Sequence, residues 1–164
     1  MARRWFRFGK KQQEQAVQES AAPEVEAPPE APLEPDHVYV IPPNRHLRIS
    51  DNEISAHEFD SPRGRRAPID LFFRALAEQH GDGFAIILTG AGSDGAVGLK
   101  AVKEAGGIIL VQDPNEAEYA SMPRSAIATG LADFVLPLRE IATRVVELAR
   151  NKEHVPIEQL RDEI

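Results

Sequence analysis

Apolar positions change their spacing several times along the 164-residue chain, and each change marks an element. His37-Val-Tyr-Val-Ile41 is a β-rich run closed by Pro42-Pro43-Asn44. Leu47-Arg-Ile-Ser50 and Glu53-Ile-Ser-Ala-His57 alternate apolar with polar around Asp51-Asn52, which predicts a hairpin. Pro68 then opens a helix on which Ile69, Phe72, Phe73 and Leu76 share one face, before Gly81 and Gly83 end it. Phe84-Ala-Ile-Ile-Leu-Thr89 is continuously apolar, the pattern of a strand buried on both faces. Gly90 to Gly98 is a glycine-rich loop leading into a helix to about Ala105, with Leu99 and Val102 inward and Gly106 placed to stop it. Ile108–Gln112 is a second buried strand, ending at Asp113-Pro114. Together these form a β–loop–α–β unit, for which parallel strands and a right-handed crossover are expected. A short helix over Pro123–Thr129, a strand Asp133–Leu136 and a helix Leu138–Arg150 with Ile141, Val145 and Leu148 on one face complete an α/β pattern.

The chain before this pattern differs in kind. Residues 1–11 hold five basic groups and three aromatics, whereas residues 12–36 hold seven acids, five prolines and no Lys or Arg. Such a segment buries too little apolar surface to offset its ordering entropy, so it reads as disordered or as an extended linker. The predicted organisation is a tail over 1–33, a domain over 34–150 and a charged C-terminal tail over 151–164. The basic start could touch an anionic membrane surface or an acidic partner, although a tail that neutralises itself against the following acids is the simpler reading. The net charge of −7 disfavours a nucleic-acid partner, which needs a basic excess. The absence of cysteine removes disulfides, thiol catalysis and thiolate metal sites. No apolar run approaches the ~20 residues of a transmembrane helix, and the N-terminus lacks the apolar stretch of a secretory signal, so a cytoplasmic protein is expected.

The glycine loop is the candidate site. Gly90, Gly92 and Gly95 have the spacing of a dinucleotide fingerprint, and Asp113 follows Gly95 at close to the ~20 residues expected of a ribose-binding acid. Asp94 argues against that reading, because a carboxylate inside the loop repels a pyrophosphate and satisfies loop N–H groups itself. Asp94 then has two roles open to it: an N-cap of its own helix, or a carboxylate at the carboxyl end of a buried strand, where open α/β sheets build their sites. A hydrogen-bonded carboxylate there is what the orienting member of a Ser-His-Asp triad requires.

Leu88-Thr-Gly-Ala-Gly-Ser-Asp-Gly-Ala-Val-Gly-Leu99 resembles the loop of the chemotaxis protein-glutamate methylesterases. Val38–Leu47, Pro68–Arg74, Glu104–Gly107 and Met122–Gly130 are similar to further blocks of the same family, and the Leu88–Leu99 and Met122–Gly130 blocks are especially similar to the module of methylesterase–methyltransferase fusions. The resemblance implies a three-layer, doubly wound, mostly parallel α/β sheet that carries a hairpin. It implies a carboxylic-ester hydrolase acting on glutamyl methyl esters of chemoreceptor cytoplasmic domains, through a Ser-His-Asp triad. In it Asp94 matches the catalytic aspartate, and the main-chain N–H of Ala91 matches an oxyanion-hole donor. The family's serine lies in a Gly-x-Ser-x-Gly-Gly turn and its histidine beside a glutamine, both before the block that begins here at Val38. This sequence contains no Gly-x-Ser-x-Gly-Gly, and Ser20 is its sole serine before His37, the first histidine. Ser93 reads as a loop hydroxyl, and none of the five histidines occupies a matching catalytic position. Losing the attacking pair costs on the order of 10⁶-fold in rate. The expectation is therefore a truncated methylesterase-like domain, inactive alone, with an uncovered strand edge and room for a polypeptide supplying the missing N-terminal half. The alternatives are a non-catalytic receptor- or partner-binding module, and a nucleotide-binding unit on the Gly90-Gly92-Gly95 loop. No cofactor or metal is implied.

Overall fold

Asp51 and Asn52 both take positive φ, 49° and 68°, the geometry of a tight two-residue hairpin turn that Asp and Asn tolerate better than most residues. They join β4 (Arg45–Ser50) to β5 (Glu53–Glu58) in the antiparallel register expected from the alternation, with Ile49 opposite Ile54 and Leu47 opposite Ala56. The computed structural model describes residues 24–26, 30–59, 66–81 and 83–154.

Two short strands come from the segment read as a tail. β2 (Glu30–Pro32) pairs antiparallel with β5, and β1 (Glu24–Glu26) pairs parallel with β3 (Val38–Val40). A proline-rich stretch is already biased to extended φ, and at a sheet edge a proline's missing N–H costs no ladder bond. The boundary drawn after residue 33 therefore falls behind chain that pairs with the domain; the reading of residues 1–23 and 27–29 lies outside the described residues.

Helix α1 (Pro68–Gln79) joins two apolar clusters. Phe73 is buried, with Ile69 beside it, among Ile87, Leu99 and Val111, while Leu76 packs on Leu47, Ile49 and Ile54 of the hairpin; Phe72 touches both groups. The main sheet has the order β6–β7–β8, all parallel: β6 (Phe84–Ile87), β7 (Ile108–Gln112) and β8 (Phe134–Leu136). Helices α2 (Leu99–Glu104), α3 (Ser121–Ala128) and α4 (Leu138–His154) pack around it, giving the three-layer α/β architecture. Leu99, Val102, Ile109 and Val111 form the dry centre, as the apolar spacing predicts. Gly106, at φ 90°, lets the chain leave α2 in the left-handed turn expected there.

Two expectations need correction. The strand from Phe84 is not buried on both faces: Ala85 and Ile87 are enclosed, but Ile86 and Leu88 remain 37% and 40% exposed. Among the described residues β6 pairs with β7 alone, so it is an edge, and α4 lies over β7. The last helix also continues past Arg150 to His154, so the boundary at 151 cuts through a helix.

Candidate active site at the glycine loop

The site is built where β6 ends. Gln112, buried at the end of β7, accepts the N–H of Thr89, which holds the two strand ends together. The segment leading into α3 and the first turn of α3 then grip the loop. Gly90 donates to the carbonyl of Tyr119 and accepts from the N–H of Met122, while the Thr89 hydroxyl accepts the N–H of Tyr119. The Ser121 hydroxyl accepts the N–H of Gly92 at 3.0 Å and donates to the carbonyl of Gly90 at 3.2 Å. Ala91 sits between those two clamped glycines, and its own N–H has no acceptor among the described residues. Gly92 completes the turn at φ 94° with open space where a Cβ would stand.

Asp94 does not cap its own helix. Its Oδ2 accepts the N–H of Ile69 and its Oδ1 the N–H of Asp70, both at 3.0 Å, so it caps α1, 24 and 25 residues upstream in the chain. The local accounting explains this. The residue before α1 is Ala67, which offers no capping side chain, and Pro68 has no N–H; the first amides left to satisfy are those of Ile69 and Asp70. The start of α2 is capped instead by Asp70, whose Oδ1 accepts the N–H of Gly98 at 2.7 Å. Close approach makes the exchange possible: a Cβ on Gly98 would lie 2.9 Å from Cβ of Phe73 and 3.0 Å from the backbone of Asp70.

The expectation that loop amides hold Asp94 is thus corrected: helix α1 holds it, because a carboxylate accepts N–H groups from whichever helix end is packed against it. Each Asp94 oxygen accepts one bond and so keeps capacity for another. The two described N–H groups are its partners; no hydroxyl or imidazole bonds to it among the described residues. A serine–histidine contact does occur elsewhere, Ser55 Oγ to His57 Nε2 at 2.8 Å, on the polar face of the hairpin where His57 stacks on His46. Spacing by two along one strand places that pair, and no carboxylate orients it among the described residues. Asp113, the candidate ribose acid, is engaged in its own turn by the N–H and side-chain amide of Asn115.

The CheB methylesterase family model matches residues 7–145. This chain belongs to the CheB methylesterase family. A "Putative protein-glutamate methylesterase/protein-glutamine glutaminase" of Leptospira interrogans is 47% identical over 116 residues, covering 70% of this chain and 60% of that protein. The protein-glutamate methylesterase/protein-glutamine glutaminase of group 3 operon from Rhizobium meliloti is 37% identical, covering 73% of this chain and 34% of the relative. Among solved structures, the catalytic domain of CheB methylesterase from Thermotoga maritima superposes with a TM-score of 0.68 at 32% identity, over 75% of this chain and 68% of that domain. The chain spans about three fifths or less of the length of these two curated relatives. The α/β architecture read from the resemblance is therefore the architecture of a CheB catalytic domain.

Sequence reasoning missed three residues that shape the site: Asp70, Ser121 and Gln112. Asp70 carries a legible signal, an acid in the first turn of a helix that opens on proline. Ser121 and Gln112 carry none, since each acts on a loop reached only through the fold. Asp133 is a further anchored carboxylate, away from the glycine loop: it bonds to the Lys103 ammonium and accepts the N–H of Ile109. Burial raises its pKa, but the Lys103 hydrogen bond, the Ile109 N–H and the Lys103 charge together outweigh that and hold it below the ordinary carboxylate value. Among the described residues no group of three or more His, Asp or Glu has metal-holding geometry, and no helix is long and apolar enough to cross a membrane.

Proposed function

We propose that this chain carries the aspartate and oxyanion portion of a protein-glutamate methylesterase centre. On this reading it hydrolyses glutamyl methyl esters of a chemoreceptor's cytoplasmic domain only when a polypeptide supplying serine and histidine completes the site. The supporting observation is the anchoring of Asp94: both oxygens are fixed by α1 and each retains accepting capacity, at the carboxyl end of β6. A histidine docked there donates its Nδ1–H to Asp94, which sets the tautomer that leaves Nε2 free to take the proton of an attacking serine. The ester carbonyl becomes an oxyanion, and the N–H of Ala91, which has no acceptor among the described residues and is held in place by the clamps on Gly90 and Gly92, is the donor that stabilises it. Methanol leaves, and water attacks the acyl-serine through the same histidine to release the carboxylate. This sequence holds no Gly-x-Ser-x-Gly-Gly serine and no histidine in the family's position, so on this reading these residues hydrolyse no ester without that second polypeptide.

A dinucleotide in the loop is disfavoured, because the N–H groups of Gly90 and Gly92, which a pyrophosphate would need, already donate to Tyr119 and Ser121. The deciding experiment measures methanol release from a methyl-esterified receptor fragment. The chain alone is expected to release none above background. Addition of a methylesterase fragment that carries the family's Gly-x-Ser-x-Gly-Gly serine and its histidine is expected to restore release, and Asp94→Asn to abolish it. Turnover by the chain alone that Asp94→Asn abolishes would overturn the proposal. Receptor binding without turnover in any combination would favour a pure binding module.

A further inference from the structure

Helices α1 and α2 run side by side in the same direction: Gly98 lies against Asp70 and Phe73 at one end, and Gly81 against Ala105 at the other. Their outer faces repeat one pattern at the same spacing. On α1 the order is Leu71, Arg74, Glu78; on α2 and the turn leading into it the order is Val97, Lys100, Glu104. Leu71 and Val97 are 41% and 62% exposed. The groove between them is floored by Ala77, Ala101 and Ala105 and rimmed by Arg74 and Lys100 at one level and Glu78 and Glu104 at the next. Four residues of helix separate the two levels, ~6 Å. The groove therefore has a cationic row, then an anionic row, over a floor of small apolar side chains.

We propose that this face binds a second copy of the same chain in antiparallel register. A two-fold axis lying in the interface and crossing the groove reverses the order of the rows. Arg74 then faces Glu78 of the second copy, and Lys100 faces Glu104 of the second copy, with the reciprocal pairs generated by the same axis. A copy stacked in parallel register sets like charges against each other instead. Alanines let the helix pairs approach closely and bury the exposed Leu71 and Val97 side chains, which supplies attraction. Exposed ion pairs add little strength, but they select register. Lys100 and Glu104 are 72% and 67% exposed and pair within their own helix at 3.6 Å, so both are accessible to re-pair. The inference stands on the groove alone and is independent of the hydrolytic reading.

Sedimentation velocity on the full chain at low ionic strength tests it. The wild type is expected to reach twice the 18.1 kDa chain mass across micromolar concentrations. The pair Arg74→Glu/Lys100→Glu and the pair Glu78→Lys/Glu104→Lys are each expected to weaken association at least about tenfold, and their equimolar mixture to restore a dimer. Circular dichroism confirms folding, and Lys100→Glu alone serves if a double variant does not fold. A wild type that stays monomeric would overturn the proposal. So would association unchanged by either charge reversal, as pairing through the β6 edge would give, or a mixture that fails to recover it.

Discussion

Asp94 accepts the backbone N–H of Asp70, and Asp70 in turn accepts the N–H of Gly98, four residues after Asp94. Each carboxylate caps the helix that follows the other in space, so α1 and the glycine loop are locked as one unit. Removing either acid leaves part-buried N–H groups unsatisfied at a helix start. Asp94→Ala, which frees two such groups, is expected to destabilise the fold by about 2–3 kcal/mol, and Asp70→Ala by about 1–2 kcal/mol. Because the two side chains share one junction, the double variant should cost less than the sum. Urea unfolding of the four-member cycle measures that coupling, and strict additivity would show that the caps act independently.

The junction also depends on glycine, at two positions for two different reasons. A Cβ on Gly98 meets Phe73 and the Asp70 backbone, so Gly98→Ala must part α1 from α2 and is expected to cost about 2–3 kcal/mol. Gly92 has open space around its missing Cβ but a φ of 94°, so Gly92→Ala pays only backbone strain, about 1–2 kcal/mol. Thermal unfolding ranks the two; a larger loss at Gly92 would contradict this reading of the packing.

Ser121 is expected to govern the loop more than the fold. Ser121→Ala removes the acceptor for Gly92 and a donor to Gly90, both exposed, and should change global stability by no more than about 1 kcal/mol. Amide hydrogen exchange at Gly92 should nonetheless become markedly faster, while Ile109 in the central strand is unaffected. Unchanged protection at Gly92 would mean that the turn holds its shape without the hydroxyl.

Asp133 predicts a pH dependence with a definite sign. Its folded pKa lies below the ordinary value of 3.8, which approximates the unfolded chain, so its ionised form favours the folded state. That contribution is fully present above the ordinary value and is lost as pH falls below it towards the folded pKa. Urea midpoints of the wild type and Asp133→Asn should therefore differ by a constant amount between pH 7 and 5, and converge below about pH 4. A gap that widens on acidification would reverse the assignment.

Local chemistry made much of the fold legible. The hairpin at Asp51-Asn52, the face of α1 set by Ile69, Phe72, Phe73 and Leu76, the parallel β6–α2–β7 unit and the stop at Gly106 all follow from turn preferences and apolar period. These signals act over a few residues, so they survive in the linear order. The half-exposure of Ile86 and Leu88 did not, because an apolar run records that a strand is apolar, not which neighbours cover it.

The candidate site divides the same way. That Asp94 lies in a glycine loop at the end of a strand, and that this sequence holds no Gly-x-Ser-x-Gly-Gly turn, belongs to the sequence itself. Which amides its carboxylate accepts is a matter of tertiary contact. Capping is a short-range bond indifferent to chain distance, and packing at Gly98 brought a helix end from 24 residues away within hydrogen-bonding reach of the carboxylate.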